Sequence, residues 1–381
     1  LSVTSGSNNI YNHNIYSLSS TGAATVYGIS VSGATLNKIY RNNIYNLTNT
    51  NAGGFVGGLL VSSGTAVYAY NNFISDLKAP NLNAGISLYG IYASGGTTVG
   101  LYYNTVYLNA TSVGALFGSA GIYASTTPTL DMRNNIVVNT SIPNGATGYT
   151  VAYRRSTATL TSYAAASNNN SFYAGTPGAN NLLFYDGTNS DQTIATYKTR
   201  VAPRDANSFA ENVAFVNSTT APYDLHVNTS TPTQLESGGS PISTPVAITD
   251  DFDGNVRNAT TPDVGADEGS FPGLDLTAPN FIYTLLGNTS YTTNRQLTVA
   301  ITDPSNIATS PNGPVLYYKK TNDVSFIVNN TPTVVGSNYT FTINSANLGG
   351  VVAGDTIQYY VAAMDLIGNS GTSPAGGSGT P

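Results

Sequence analysis

The sequence contains no cysteine, so neither disulfides nor thiolate metal sites brace the fold, and redox chemistry says nothing about its compartment. Charge is scarce as well: only 8% of residues are charged, with thirteen Lys and Arg set against nineteen Asp and Glu. A net charge of −6 with no basic stripe argues against nucleic acid as a partner. No run of eighteen apolar residues is present, which argues against a membrane span, and the chain opens at Leu1 without the basic and apolar regions of a signal peptide. A mature or excised segment is expected, and the linker-like Gly376-Gly377-Ser378-Gly379 near the end suggests a piece of a longer polypeptide.

What is present points to folded β-structure. Hydrophobic residues make up 40% of the chain, including 27 Tyr and 12 Phe, which excludes a disordered polymer. Gly, Ser, Thr and Asn are abundant, a mixture suited to tightly turned strands rather than charged-faced helices. At 381 residues there is material for two or three domains.

Internal repetition dominates the first half. A Gly-apolar start recurs at Gly28-Ile29, Gly58-Leu59, Gly90-Ile91 and Gly121-Ile122. Thirteen or fourteen residues later comes an Asn-led segment: Asn42-Asn43-Ile44-Tyr45, Asn71-Asn72-Phe73-Ile74, Asn104-Thr105-Val106-Tyr107 and Asn134-Asn135-Ile136-Val137, with an earlier copy at His13-Asn14-Ile15-Tyr16. Alternation within each unit marks strands. Ile29, Leu59, Ile91 and Ile122, then Val31, Val61, Ala93 and Ala124, are expected as interior rows, and Ile15, Ile44, Phe73, Val106 and Ile136 as another. Gly-rich turns supply the left-handed backbone angles that sharp corners need. The leucine-rich-repeat pattern is missing, and propeller blades need longer units and regular hairpin signals. The reading is an all-β chain whose residues 1–151 form coils of a right-handed parallel β-helix. Asn side chains at equivalent corners are expected to bond from coil to coil, since an amide both donates and accepts.

From 152 to 272 the repeat fades into irregular late coils and a cap. Here Tyr223-Asp224-Leu225-His226, then Asp250-Asp251-Phe252-Asp253-Gly254-Asn255-Val256-Arg257 and Asp263-Val264-Gly265-Ala266-Asp267-Glu268, resemble the C-terminal part of secreted bacterial right-handed β-helix repeat proteins. These belong to the pectate-lyase-like superfold, and many are surface proteins of the Bacteroidota and related groups. The resemblance spans roughly residues 1–270. Val264 stands where that family usually has Ile, and Asp267 where it has an aromatic residue. The family includes polysaccharide lyases and non-enzymes alike, so it does not decide the chemistry.

Residues 273–381 change texture again, into alternating runs separated by Pro, Gly and Asn turns, the rhythm of an Ig-like or fibronectin-III-like β-sandwich. Its ending, Gly354-Asp355-Thr356-Ile357-Gln358-Tyr359-Tyr360-Val361-Ala362-Ala363-Met364-Asp365, resembles the final strands of spacer domains in bacterial exoproteins.

Catalysis on a β-helix needs carboxylates gathered on one face. Only Asp76 and Asp131 precede residue 186, at different repeat offsets, and no Glu precedes Glu211, so no catalytic residue is assigned. Asp250, Asp251, Asp253 and Asn255 echo the start of a calcium loop, but Pro262 stands where an EF-hand glutamate belongs. A hydrogen-bonded cap is the first reading there, structural Ca²⁺ the sharper one, and no other cofactor is expected. Tyr16, Tyr45 and Tyr107 share an outward offset, as candidates for a surface contact with sugar rings or another protein, or as plain cross-coil stacking. Arg41, Arg133, Arg154 and Arg155, with Lys38 and Lys78, read as scattered surface charges, an anionic-glycan contact being the alternative. His13 and His226 show no paired acid or nucleophile pattern.

The functional expectation is a non-enzymatic, extracellular or cell-surface structural or adhesive protein, such as a segment of a fibre or surface assembly. Its expected partners are other copies of itself, other surface proteins and glycans. The alternative is an extracellular polysaccharide-binding or polysaccharide-degrading β-helix protein.

Overall fold

A computed structural model describes residues 1–33 and 35–381. They form two compact units, Leu1–Leu274 and Asp275–Pro381. The first is a parallel β-solenoid of about six turns. Its three sheets are built from one short strand per turn. The longest sheet stacks Ser2–Val3, Val26–Val31, Val56–Val61, Ala84–Ala93, Phe117–Ala124, Thr150–Arg155 and Asn181–Tyr185, and ends in the antiparallel Ser190–Asp191. A second runs from Ser7–Tyr11 to Thr129–Arg133, and a third from Asn14–Ser20 to Ser171–Tyr173.

Two of the expected interior rows stack in register. Ile29, Leu59, Ile91 and Ile122 are neighbours from turn to turn, as are Val31, Val61, Ala93 and Ala124, and all are buried. The third row differs from the expectation. Ile15, Ile44, Ile74, Val106 and Val137 align, whereas Phe73 and Ile136 fall one residue earlier, beside Asn43 and Thr105. A one-residue shift turns a strand side chain to the opposite face, so Phe73 and Ile136 point outward. The cause lies at the preceding corner. Arg41, Asn71, Tyr103, Asn134 and Asn169 each take positive φ, between 50° and 58°, and the residue after each is the inward asparagine. Counting from Asn71 or Asn134 therefore starts one position early.

The inward asparagines form a continuous ladder. The Nδ2 of Asn42 donates to Oδ1 of Asn72 at 2.9 Å, Asn72 to Asn104 at 2.8 Å, Asn104 to Asn135 at 3.0 Å and Asn135 to Asn170 at 2.9 Å. Each amide also donates to the end of the preceding turn's second-sheet strand, as Asn104 does to the Ala69 carbonyl at 2.9 Å, and each Oδ1 from Asn72 to Asn170 accepts the backbone N–H of the asparagine before it. Opposite the ladder, Gly28, Gly58, Gly90 and Gly121 approach the third sheet so closely that a Cβ would fall 2.2–2.4 Å from Ile44, Ile74, Val106 and Val137. The recurrent glycine of the sequence is thus a close-approach residue rather than a turn.

The far end is capped by the helix Ile194–Val201, whose Thr193 side chain accepts the Thr196 N–H and whose Tyr197 and Val201 are buried. Asp205 terminates the ladder: it accepts from Asn170 Nδ2 at 2.9 Å, from Ser208 Oγ at 2.6 Å and from the Tyr163 and Tyr197 hydroxyls at 2.5 Å each. Beyond the cap the chain does not add coils, as expected for part of 152–272, but returns along the outside. Val213, Phe215, Leu225, Val227, Leu235 and Val264 cover the outward Phe73, Ile136 and Val138, and Ile242, Val246 and Ile248 cover Tyr70, Tyr102 and Tyr103.

The second unit consists of two antiparallel four-stranded sheets. One has the order Asn280–Ile282, Arg295–Thr302, Asn338–Ile343, Thr333–Val335, and the other Ile327–Asn329, Val315–Lys320, Ile357–Met364, Ser370–Ser373. Leu297, Val299, Ile301 and Phe341 of the first share one core with Leu316, Tyr318, Val361 and Ala363 of the second, the packing of a β-sandwich.

Removing one rung of the ladder leaves several buried groups without partners. Asn104→Ala is expected to lower the unfolding free energy of the solenoid by about 3 kcal/mol, against a few tenths for the exposed Asn14→Ala. Urea titrations of both variants measure this, and similar losses would mean the ladder carries no special weight.

Candidate functional site

The acidic stretch 250–268 folds into a buckle over the corner residues of the solenoid. The Asp251 carboxylate accepts from the Gly254 and Asn255 N–H groups at 2.8 and 2.7 Å, from Asn255 Nδ2 at 3.1 Å and from the Glu268 N–H at 3.1 Å. Arg257 lies 3.9 Å above the Tyr103 ring and donates to Glu268, Asn71 and the Gly265 carbonyl at 2.9–3.0 Å. Burial holds its guanidinium below the usual value, against the pull of Tyr103 and Glu268. Gly265, at φ +101°, comes so close to the outward Ile136 that a Cβ would sit 2.3 Å from its Cδ1. The Asp-Gly-x-x-Arg and Gly-Ala-x-Glu stretches therefore work as a fastener between chain segments.

The expected calcium ligands take separate partners. Asp250 pairs with Arg41 at 2.6 Å, Asp251 and Asn255 hold each other in the turn, and Asp253 meets His226 Nε2 at 2.8 Å. Among the described residues, candidate ligand atoms come within 4.8 Å of one another in two sets: His226, Asp253 and Asp267; and Asp275, Asp303 and Asp365. In the second set Asp275 accepts from Thr277 and Ser305, which hold it down at about 2. Asp365 is occupied by the N–H groups of Ile367, Gly368 and Asn369.

The first set is built on the strand Asp224–Val227. Alternation places Asp224 and His226 on one face, and Nδ1 of His226 lies 2.5 Å from Asp224 Oδ1. Phe73 and Phe252 pack edge-on against the imidazole. Burial lowers the His226 pKa, but Asp224, Asp267 and Asp253 outweigh it and leave it above the ordinary value. Asp267 is raised by burial and by the charges of Asp251 and Asp253, opposed by the Val227 N–H.

Within the coils, both acids are tied down. Asp76 pairs with Lys78 at 2.8 Å beside the third sheet, and Asp131, on the second, is held by Arg133 and by the Tyr102 hydroxyl at 3.0 Å. Of the basic residues expected at the surface, Arg155 is instead fully buried, donating to the Tyr153 hydroxyl, the Thr159 carbonyl and Ser162. In the second unit, a groove of about 520 Å³ between 286–295 and 343–359 contains one acid, Asp355, paired with Lys320 at 2.9 Å.

The tyrosine row also differs from its expectation. Tyr16 and Tyr45 stack with ring centroids 5.1 Å apart, but Ser75 follows them in the next turn, and Tyr107 lies under Phe215 and Tyr223 with its hydroxyl donating to the Ser218 carbonyl. A continuous row lies instead on the longest sheet, where Leu60, Tyr92, Tyr123, Arg154 and Tyr185 are neighbours in register, all half-buried. Tyr92 and Tyr123 stack at 4.7 Å with planes 3° apart, and Arg154 lies 4.9 Å from the Tyr123 ring and 5.2 Å from that of Tyr185. The six parallel strands that surround this row, from Val26–Val31 to Asn181–Tyr185, contain no acid, and Arg154 makes no salt bridge among the described residues.

No family model matches this chain, and no curated protein does. No helix of the described residues is long and apolar enough to cross a membrane.

Two features escaped the sequence reading, and each left a trace there. Asp224-x-His226 in an alternating run is a same-face acid and imidazole, and Tyr92 and Tyr123 follow the repeated Gly-Ile of their coils. Asp267 had no local signal, because the fold brings it forty residues back to the Val227 N–H, 2.8 Å away.

The buckle also predicts a pH dependence. Burial raises Asp263 to about 7, with Glu268 and Glu236 adding to it and the Gly269 and Ser237 N–H groups opposing. A carboxyl raised on folding stabilises fully below its unfolded pKa, and that contribution is lost as pH climbs to the folded value. Between pH 4 and 7.5 the native protein should lose about 2–4 kcal/mol more stability than Asp263→Asn. Parallel slopes in urea unfolding would contradict the assignment.

Proposed function

We propose that this chain is a non-enzymatic structural or adhesive protein of the extracellular surface, whose partners are other copies of itself, other surface proteins and glycans. The observation that carries the reading is the contrast between its two kinds of chemistry. The carboxylates of the coils are committed to cations and tyrosine, while the Tyr92–Tyr123–Arg154–Tyr185 row keeps stacked rings and an unpaired cation on an acid-free face. Stacked rings with a cation suit contact, since ring faces bind by dispersion and desolvation.

An extracellular, bacterial setting is supported by the resemblance of the closing motif to secreted β-helix repeat proteins. The second unit supports it too. Its strand order supports an Ig-like reading, with Asn280–Ile282, Arg295–Thr302, Asn338–Ile343 and Thr333–Val335 in one sheet and Ile327–Asn329 at the edge of the other. Such modules commonly serve as spacers. The alternative, a polysaccharide-binding or polysaccharide-degrading protein, is favoured in its binding half by the same row, because planar tyrosines match the apolar faces of sugar rings and Arg154 matches a carboxylate or sulfate substituent.

Affinity electrophoresis through gels of neutral, uronate-containing and sulfated polysaccharides separates these readings. Retention by at least one gel is expected, weakened about tenfold, or roughly 1.4 kcal/mol, in Tyr123→Ala and Arg154→Ala. Incubation with the same polymers should release no new reducing or unsaturated ends. Release that follows the native protein through purification would replace the proposal with the degrading alternative.

A further inference from the structure

We infer that His226, Asp253 and Asp267 form a binding site for a divalent cation of the zinc class, which ties the strand Asp224–Val227 to the buckle. Their ligand atoms lie within 4.8 Å of one another. The imidazole is oriented as a ligating histidine usually is: one nitrogen, Nδ1, is engaged by a carboxylate, Asp224, and Nε2 is directed at another, Asp253. Asp267 is only 7% exposed, yet of its two carboxylate oxygens only Oδ2 takes a hydrogen bond among the described residues, from the Val227 N–H. The second oxygen, beside an imidazole and a second carboxylate, keeps its lone pairs free for a cation.

The charge balance points the same way. Asp224, Asp253 and Asp267 surround a single imidazole, so three carboxylates converge on one ring. The guanidinium groups that hold the buckle are committed elsewhere, Arg41 to Asp250 and Arg257 to Glu268. An imidazole ligand selects against calcium and magnesium, which prefer all-oxygen cages, and for zinc or its neighbours. Two ligand atoms on a tetrahedral zinc stand about 3.4 Å apart. Asp253, on an exposed turn, needs to open from its 2.8 Å contact with Nε2 and has room to do so.

The test is direct titration of the EDTA-stripped chain with Zn²⁺, Ca²⁺ and Co²⁺. One equivalent of Zn²⁺ should bind with micromolar affinity and raise the melting temperature, Ca²⁺ should bind at least a hundredfold more weakly, and Co²⁺ should give the visible absorption of a low-coordinate site. Asp253→Asn, at an exposed position that leaves the core intact, and His226→Gln should each weaken Zn²⁺ binding at least tenfold, while His13→Gln changes nothing. The chain has just these two histidines, so the ring that responds in NMR is assigned by that control. Should His226→Gln fail to fold, Asp253→Asn and the cobalt spectrum of the native protein decide. No saturable zinc binding below millimolar, undiminished binding in Asp253→Asn, or a response confined to His13 overturns the inference.

Discussion

The structure depends on a buried amide that must be satisfied at every turn of the solenoid. Where the second sheet meets the third, the chain turns a corner in two residues. The first takes the left-handed conformation, and the second directs a carboxamide into the interior. Carried into an apolar interior without partners, an amide is costly, so the side chain is stable there only if both its ends are used. Stacking solves this: each Nδ2 donates up the ladder and to a carbonyl of the preceding turn, and each Oδ1 accepts from below. The chain of amides cannot simply stop. Its last member donates to Asp205, itself wrapped by Tyr163, Tyr197 and Ser208 under the capping helix. Burial raises the Asp205 pKa, while these donors work against that rise.

The ladder also fixes register, and register decides which face each side chain serves. With the inward asparagine as origin, the next residue points out and the one after points in, which sends Phe73, Thr105 and Ile136 to the outside. An apolar outward row on a solenoid sheet needs a cover. The returning segment 209–274 supplies one with Phe215, Leu225 and Val264, and fastens it by polar bonds to the corner residues: Arg257 to Asn71, the Gly265 N–H to the Asn134 carbonyl, and Ala266 N–H to Thr105. The positive-φ corner residues, an odd mixture of Arg, Asn and Tyr in the sequence, thus become a docking strip for the rest of the chain.

This hierarchy explains how much was legible in advance. The glycine and asparagine spacing reflects geometry that repeats with every turn, so the solenoid and two interior rows could be read from residue types alone. The third row could not be placed, because Asn71-Asn72 and Asn134-Asn135 each offer two candidates for one inward position, and only the hydrogen bonds to neighbouring turns choose between them. The docking of 209–274 rests on contacts across more than a hundred residues, such as Tyr107 with Phe215 and Tyr103 with Ser240, for which local pattern has no counterpart. The same holds for the clusters around His226 and for the occlusion of Tyr107. Asp224 beside His226 was visible, while Asp253 and Asp267 became neighbours only through the buckle.

Charge follows the same division of labour. Of the nineteen acids, two lie before residue 186 and twelve between Asp186 and Glu268, in the segment that caps and covers. A coil whose every face must tolerate a neighbour 4.8 Å above and below gains from lacking charge, since identical positions in successive turns would bring like charges together. Tyrosine escapes that penalty: parallel rings one strand apart stack, as Tyr11, Tyr40 and Tyr70 do at 4.8–4.9 Å. Where the returning segment lies over such a row the rings become core, as with Tyr70 and Tyr102; where it does not, as along Tyr92 and Tyr123, stacked rings remain at the surface with Arg154 among them. The surface chemistry of the coils is therefore what stacking permits and the cover leaves open: along this row, rings with Arg154 among them rather than paired carboxylates.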